Sequence, residues 1–215
     1  MQTLKLNFPR FLLVVLMSTA SLCLAETNVD SLSSIGAQVE QHAVIRSAFT
    51  QTKQMAALKR PLITHGQLIY SRNNGVLWQI EQPYRMSYLL SENKIVEINA
   101  QGLRKERNVR DIPGLVQVGK VFRAMLGANI EELKNTFDVS IDGNANKWEV
   151  QLTPKQVQLK QFLNSLNLKG GQFIESIKIS EVGGDNTLIQ LHHTNSSVTL
   201  DERELELFTD KHSPQ

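Results

Sequence analysis

The chain has 215 residues, of which 23 are Lys or Arg and 21 are Asp or Glu, so its formal net charge at pH 7 is +2. This near-neutral balance argues against a nucleic-acid partner, because proteins that bind nucleic acids usually present a strongly basic face. A single cysteine excludes an intramolecular disulfide.

Residues 1–25 have the composition of a secretory signal peptide. Lys5 and Arg10 supply a positive start, and an unbroken apolar run and then a series of small residues follow. The apolar run is too short to span a bilayer, which disfavours a permanent anchor. We therefore expect cleavage after Ala25 and an exported, soluble mature chain, residues 26–215, that forms one domain.

Cys23 leaves a second kind of processing open, because bacterial lipoproteins are cleaved just before a cysteine that then carries lipid. The residue before that cysteine should be small, and here it is Leu22, which disfavours this alternative. Cleavage after Ala25 would also remove Lys5 and Arg10, leaving 21 basic residues against 21 acidic ones and no cysteine. An exported chain without disulfides must rely on apolar burial for its stability.

A helix and then a strand are predicted at the start of the mature chain. Residues 29–44 place apolar side chains at helical spacing behind the N-cap candidates Asp30 and Ser31. From Ile45 the apolar period changes to two, which predicts a strand as far as Met55.

Residues 66–91 alternate in character with unusual regularity, which predicts a sheet with one apolar face. The odd positions are more often polar. The apolar side chains at even positions are Leu68, Tyr70, Val76, Trp78, Ile80, Met86, Tyr88 and Leu90. The strands predicted in this part of the chain are Leu62–Ser71, Val76–Glu81, Arg85–Ser91, Lys94–Asn99 and Leu103–Val109.

The second half of the chain mixes helices and strands. Apolar residues recur at i, i+3, i+4, i+7 and i+8 from Val118 to Leu126, which predicts a helix. Further helices are predicted over Ile130–Thr136 and Lys155–Leu166, strands over Phe137–Asp142, Lys147–Thr153, Phe173–Glu181 and Thr187–His193, and a helix-like or irregular tail over Asp201–Phe208. About ten strands joined by short turns predict an antiparallel meander, which must curl or close at that length.

Catalytic motifs are missing from the sequence. It contains no G-x-S-x-G, H-E-x-x-H, phosphate-binding glycine loop or C-x-x-C. We therefore expect no enzymatic activity, no catalytic residue, no metal and no cofactor. A lipid hydrolase stays an alternative only if a Ser or Asp lies close to His65, His192 or His193.

Two polar groups have simple interpretations. His192 and His193 are neighbours on a predicted strand and should face opposite sides, so they should not chelate one metal together. The acidic residues of the tail suggest a solvated face rather than a calcium site; they are Asp201, Glu202, Glu204 and Glu206.

The apolar side chains remain as the candidate functional set. By default they form an ordinary core, but a sheet and a helix could instead face each other across a groove that admits a lipid, and methionine and aromatic side chains adapt well to varied apolar guests. The candidate cavity residues are Leu68, Tyr70, Trp78, Ile80, Met86, Tyr88, Leu90, Val121, Phe122, Met125, Leu126 and Trp148.

Several short segments share their order and spacing with a known family. They are Phe49–Thr52, Gly66–Leu68, Arg72 followed six residues later by Trp78, Gln82–Pro83 and Leu152–Lys155. Together, over roughly residues 29–180, they resemble the LolA family of periplasmic lipoprotein carriers. The resemblance implies an α+β, mainly antiparallel fold: an unclosed β-barrel, or half-barrel, with helices forming a lid over an apolar cavity for acyl chains.

The resemblance also implies partners and roles. LolA-like carriers work in the periplasm of Gram-negative bacteria, accept lipoproteins from an inner-membrane transporter and deliver them to an outer-membrane acceptor. We expect a monomer whose cargo is the acyl chains of a lipoprotein or lipid. By position, Arg72 matches an arginine that helps to hold the lid closed, and Trp78 matches a cavity-lining tryptophan. The alternative for Arg72 is a solvated turn residue.

The sequence departs from the family pattern in three places. Ser91–Ile95 stands where an Asp-Gly turn is usual, and Asn99–Gly102 replaces an aromatic-rich segment that ends in proline. The turn at Gly183–Asp185 resembles a divergent branch associated with other lipid-export systems. An accessory lipid-binding protein of a lipid or polyketide exporter is therefore the alternative to a lipoprotein carrier.

Overall fold

A computed structural model of the chain describes residues 34–38, 41–91, 94–107 and 130–209. The strands are β1 (Val44–Gln54), β2 (Leu62–Ser71), β3 (Gly75–Gln82), β4 (Met86–Leu90), β5 (Ile95–Asn99), β6 (Arg104–Arg107), β7 (Phe137–Asn144), β8 (Lys147–Pro154), β9 (Leu163–Gly170), β10 (Ile174–Glu181) and β11 (Asn186–Ser197). The helices are residues 34–38, Ile130–Thr136, Val157–Lys160 and Glu202–Phe208.

The strands form one antiparallel sheet in the order β6-β5-β4-β3-β2-β1-β11-β10-β9-β8-β7. Two meanders, β1–β6 and β7–β11, meet where β1 pairs with β11. The outermost strands, β6 and β7, lie at opposite edges, so the sheet is unclosed. This confirms the predicted fold class, with eleven strands in place of about ten.

The helical and terminal predictions have mixed outcomes. Residues 34–38 are helical, as predicted for the start of the mature chain, and Glu202–Phe208 is a helix. The predicted signal peptide, residues 1–25, and the predicted helix from Val118 to Leu126 lie outside the described residues.

The predicted helix over Lys155–Leu166 is wrong. Only Val157–Lys160 is helical, and β9 begins at Leu163. Ser180 pairs with Ser165 but Glu181 pairs with Leu163, so one residue of β9 bulges out of the ladder. The bulge turns Leu163 towards the same face as the later leucines of β9. The apolar residues of this strand therefore have a spacing that resembles the spacing in a helix.

One face of the sheet, which we term the inner face, carries a continuous apolar cluster that runs from β4 to β7. Its buried members include Phe49, Leu68, Tyr70, Trp78, Leu90, Trp148, Val150, Leu152, Leu166, Leu168, Ile177 and Ile189. Ile35 of the helical residues 34–38 and Leu133 of Ile130–Thr136 pack against it. The regular alternation of β2–β4 therefore does mark one buried face.

The opposite, outer face carries a second apolar cluster that the sequence did not predict. It consists of Val44, Ile69, Leu77, Leu89, Val96 and Ile98 on β1–β5. Leu200, Leu207 and Phe208 cover it from the C-terminal segment. The first meander of the sheet is therefore buried on both faces.

Polar contacts fix the C-terminal helix to the outer face. Asp201 and Glu204 form a capping box, and the Glu204 carboxylate accepts hydrogen bonds from both Nε and Nη2 of Arg46 on β1. At the other end, Nη2 of Arg104 on β6 donates to the Leu207 carbonyl at 2.9 Å. Glu204 is thus buried, so the expected solvated acidic face is wrong at this residue.

The ion pair makes stability depend on pH. The hydrogen bond from Arg46 lowers the pKa of Glu204 below its ordinary value of 4.5, against the opposing effect of burial. A carboxyl with a lowered pKa in the folded state stabilises the protein above its unfolded pKa and loses that contribution as pH falls through the folded pKa.

We predict that Glu204→Gln lowers the free energy of unfolding at pH 7 by about 1–3 kcal/mol, because it removes a charge-assisted hydrogen bond. The difference from the wild type should shrink as the pH falls through the lowered pKa of Glu204 and the carboxylate becomes protonated. Urea unfolding at pH 7 and pH 3 measures both values. Glu202→Gln, an exposed position in the same helix, is the matched control, and an equal loss in both variants would contradict the prediction.

Candidate functional site

The inner face brings most of the predicted cavity residues together. Leu68, Tyr70, Trp78, Leu90 and Trp148 are buried in its apolar cluster, and Ile80 and Tyr88 are half-buried against it. Met86 is half-buried and pairs with Ile80 across β3 and β4. Their placement on one face is observed, while their role in binding stays a prediction. Four further members of the set, Val121, Phe122, Met125 and Leu126, lie outside the described residues.

Phe49 is an inner-face residue that the candidate set did not include. Its ring stacks on Trp78 with a centroid separation of 4.1 Å. It lies opposite Gly66 on β2, where an added Cβ would come within 2.9 Å of the Phe49 ring and 1.9 Å of the Gln79 carbonyl oxygen. Gly66 is therefore required for this close packing. The sequence alone does not show that Phe49 and Gly66 lie opposite each other, because they belong to different strands.

The second half of the inner face is lined by aliphatic residues of β8–β10. The backbone carbonyl of Gly171 links this half to the helical residues 34–38 that cover it. The indole Nε1 of Trp148 donates to the Gly171 carbonyl at 2.8 Å, and Nε2 of Gln38 donates to the same oxygen at 3.2 Å. The hydrogen bond of Gln38 and the packing of Ile35 thus hold residues 34–38 against the sheet.

One cavity between described residues of the inner face has a volume of about 10 Å³ and is lined by Ile45, Ser47, Leu68, Tyr70, Phe173 and Leu191 among others. That volume has room for about one water molecule. An apolar guest can therefore enter between these residues only if the elements that cover the face move.

Burial on the inner face of β3 and β4 decreases towards the turn that joins them. On β3, Val76 and Trp78 are buried and Ile80 is half-buried; on β4, Leu90 is buried and Met86 is half-buried. Ile80 and Met86 face each other across the two strands. In this part of the sheet the inner face is therefore most accessible beside that turn.

Arg72 lies in the turn between β2 and β3, and its side chain is exposed. Its backbone N–H donates to the Ala43 carbonyl at 3.0 Å. Ala43 immediately precedes β1, so this turn is held against the chain that links residues 34–38 to the sheet.

Comparison with known proteins identifies the family. The family model described as outer membrane lipoprotein carrier protein LolA-like matches residues 25–196. The chain belongs to this LolA-like family. No curated protein matches the sequence.

The chain is similar to several solved structures at very low sequence identity. A LolA superfamily protein from Nitrosomonas europaea is 9% identical with a TM-score of 0.51, and the match covers 87% of this chain and 99% of that one. A lipoprotein-sorting protein domain from Vibrio parahaemolyticus is 8% identical, with a TM-score of 0.47 and coverage of 84% and 98%. The lipoprotein LppX from Mycobacterium tuberculosis is 8% identical, with a TM-score of 0.43 and coverage of 81% and 100%.

A larger cavity of this LolA-like protein, of about 490 Å³, opens on the outer face. Thr50, His65, Gln67, His192 and His193 are among its lining residues. Ala48 and Phe49 also line it, but the polar groups make it poorly suited to acyl chains, because an apolar guest would cover groups that need hydrogen bonds. The size of this cavity therefore does not make it the candidate lipid site.

Both adjacent histidines are among the residues that line the outer cavity. A bulge in the pairing of β1 with β11 adds a residue between His192 and Asn195, and His193 has a φ of 53°. The regular alternation of side chains between the two faces is therefore interrupted at this point of β11. Within the described ranges, no group of three or more His, Cys, Asp or Glu residues is placed to hold a metal ion.

The hydrolase alternative required a Ser or Asp beside a histidine ring. The Ser47 hydroxyl instead donates to the backbone carbonyl of His192 at 3.0 Å and lies 2.9 Å from the Thr194 hydroxyl. The ring Nδ1 of His65 lies 3.2 Å from the hydroxyl of Thr50. In the described part of the chain, none of the observed hydrogen bonds joins a Ser or Asp to a histidine ring.

No helix among the described residues is long and apolar enough to cross a bilayer.

Proposed function

We propose that this protein is a periplasmic carrier that shields the acyl chains of a lipoprotein or lipid on its inner face and delivers them from the inner to the outer membrane. The observation that carries the proposal is a continuous apolar inner face in an unclosed sheet, in a chain that belongs to the LolA-like family. The donor is an inner-membrane transporter and the acceptor lies in the outer membrane.

Shielding is physically required for such a cargo. Burial of a methylene group gains about 0.8 kcal/mol, so a chain of about 16 carbons exposed to water costs on the order of 12 kcal/mol. A carrier must also release what it holds. Its inner face should therefore bind the chain better than the donor does and less well than the acceptor, with the opening of the cover coupled to docking.

Loading requires the inner face to open. The cavity beside Ile45 and Tyr70, of about 10 Å³, is far too small for an acyl chain, so residues 34–38 and Ile130–Thr136 act as the lid and move aside. The hydrogen bond from Gln38 to Gly171 is a contact that such a movement breaks. A guest then takes the place of side chains such as Ile35 and Leu133 over the same apolar surface.

The cargo can be identified directly. Native mass spectrometry of the protein purified from the periplasm should show a monomer that begins at Glu26 and carries bound lipid. A bound lipoprotein supports the proposal, because this cargo adds a polypeptide to the mass. A lipid without a polypeptide instead supports the exporter accessory, and a protein free of lipid after gentle isolation contradicts both functions.

We predict that Met86→Glu weakens the binding of a fluorescent fatty acid at least tenfold, because it places a carboxylate where the inner face is most accessible. Ser87→Glu adds the same charge to the next residue of β4, which points to the opposite face, and should leave affinity within twofold. Fluorescence titration measures both. Equal losses in the two variants would count against the inner face as the binding site.

We propose that Arg72 is the lid clasp. Its turn is held against Ala43, where the chain from residues 34–38 enters the sheet. Arg72→Leu should change the rate of cargo transfer to acceptor vesicles by at least fivefold while the urea unfolding midpoint stays unchanged. Arg72→Lys, which keeps the charge, should be affected less. A transfer rate equal to that of the wild type in Arg72→Leu would overturn this role.

A further inference from the structure

The exposed apolar side chains are concentrated at one end of the sheet. We term this end the lower rim and define it by the connections at residues 55–61, 83–85, 100–103, 155–162 and 182–185. Of ten exposed large apolar side chains in the described part of the chain, eight lie in these connections or within three residues of them. Among them are Leu58, Leu62, Tyr84, Leu103, Val157 and Val182.

The lower rim is continuous in space as well as in topology. The backbone N–H of Ala56 donates to Oδ1 of Asp185 at 2.9 Å, which joins the first connection to the last. The N–H of Val182 donates to the Phe162 carbonyl at 3.0 Å, which joins the last connection to the one before it. Met86 pairs with Asn99, so residues 83–85 and 100–103 lie at the same end. The apolar side chains therefore project from one surface.

The charges that remain unpaired on the lower rim are mostly positive. Lys59, Arg60, Arg85 and Lys160 are exposed and form no ion pair with another described residue. The acids are largely engaged: Glu181 and Asp185 lie 3.0 and 3.9 Å from Lys53 Nζ, and Asp138 lies 3.4 Å from Lys155. Glu81, which lines the outer cavity, is the acid near this end that has no ion pair with a described residue.

The opposite end of the sheet has a different composition. Its turns contain Asn73, Asn74, Asn144 and Asn146, and Val198 is the large apolar side chain exposed there among the described residues. A general tendency of loops to expose apolar groups therefore does not explain the lower rim. Exposed apolar groups that cluster on one surface mark an interaction site.

We infer that the lower rim docks on an anionic membrane surface. Apolar side chains flanked by unpaired cations match the boundary between acyl chains and anionic headgroups. The inference rests on the proposed function, because a lipid carrier has to meet a bilayer, and it adds the orientation of that encounter. Tyr84 lies in the connection beside Ile80 and Met86, so docking brings the most accessible part of the inner face towards the lipid.

Flotation of the full mature chain with vesicles tests the docking surface. Vesicles of phosphatidylcholine with 30% phosphatidylglycerol (roughly the anionic fraction that gives a usable surface potential) should bind the wild type at least tenfold better than pure phosphatidylcholine. Lys59→Glu/Arg60→Glu should lose most of this binding, and Tyr84→Ser/Leu103→Ser should lose at least threefold. Lys147→Glu/Arg203→Glu changes the charge equally away from the rim and should bind like the wild type. Unchanged unfolding midpoints would show that the variants remain folded.

The outcomes separate docking from cargo binding. The inference is overturned if the wild type does not bind anionic vesicles, or if the control variant loses as much binding as the rim variants. It is also overturned if position 58 crosslinks to a protein acceptor and the protein binds no vesicles. The fatty-acid titration of the same variants is independent. A protein that binds vesicles but no fatty acid keeps its docking surface and loses the proposed carrier function; the reverse result keeps the carrier and removes the docking surface.

Discussion

The apolar inner face of an unclosed sheet is the constraint on which the structure depends. Because β6 and β7 do not pair, the sheet cannot enclose this face by itself, and the hydrophobic effect requires another part of the chain to cover it. Ile35 and Leu133 show that helical residues supply part of the cover. A covering segment that is not itself a strand of the sheet can be exchanged for a guest of similar polarity. The requirement for stability and the proposed function therefore have one physical origin.

The two faces of the sheet are held in different ways. On the outer face, the C-terminal helix is capped, paired through Glu204 with Arg46, and bonded at its end by Arg104. On the inner face, the described attachment of residues 34–38 is the hydrogen bond from Gln38 and apolar packing. Directional charged contacts fix one position, whereas apolar packing tolerates different partners. This asymmetry allows the inner cover to move while the outer helix keeps the first meander in shape.

The sequence predicted what depends on regular periodicity. The strict alternation of β2–β4 located one face of the sheet, and the turn residues located most strand boundaries. It could not predict β9, because the bulge beside Leu163 breaks the period of two. It also missed the buried Leu77 and Leu89, because most residues two places away along their strands are polar. The partners of Glu204 and Phe49 come from distant segments, and no local pattern encodes such contacts. Eight of the twelve candidate cavity residues lie together on the inner face because they belong to regular strands, and their role in binding stays a prediction.

The centre of the sheet joins the beginning of the chain to its end, since Val44 pairs with Ser197 and Gln54 with Asn186. Loop-closure entropy makes such distant pairing slow, so folding should be limited by the arrival of β11 at β1. A chain that emerges with its N-terminus first presents β1 with one unsatisfied edge until the last strand appears, and such an edge invites pairing with other chains. The topology thus ties completion of the sheet to the synthesis of β11, and the free edge of β1 needs protection until that strand has formed.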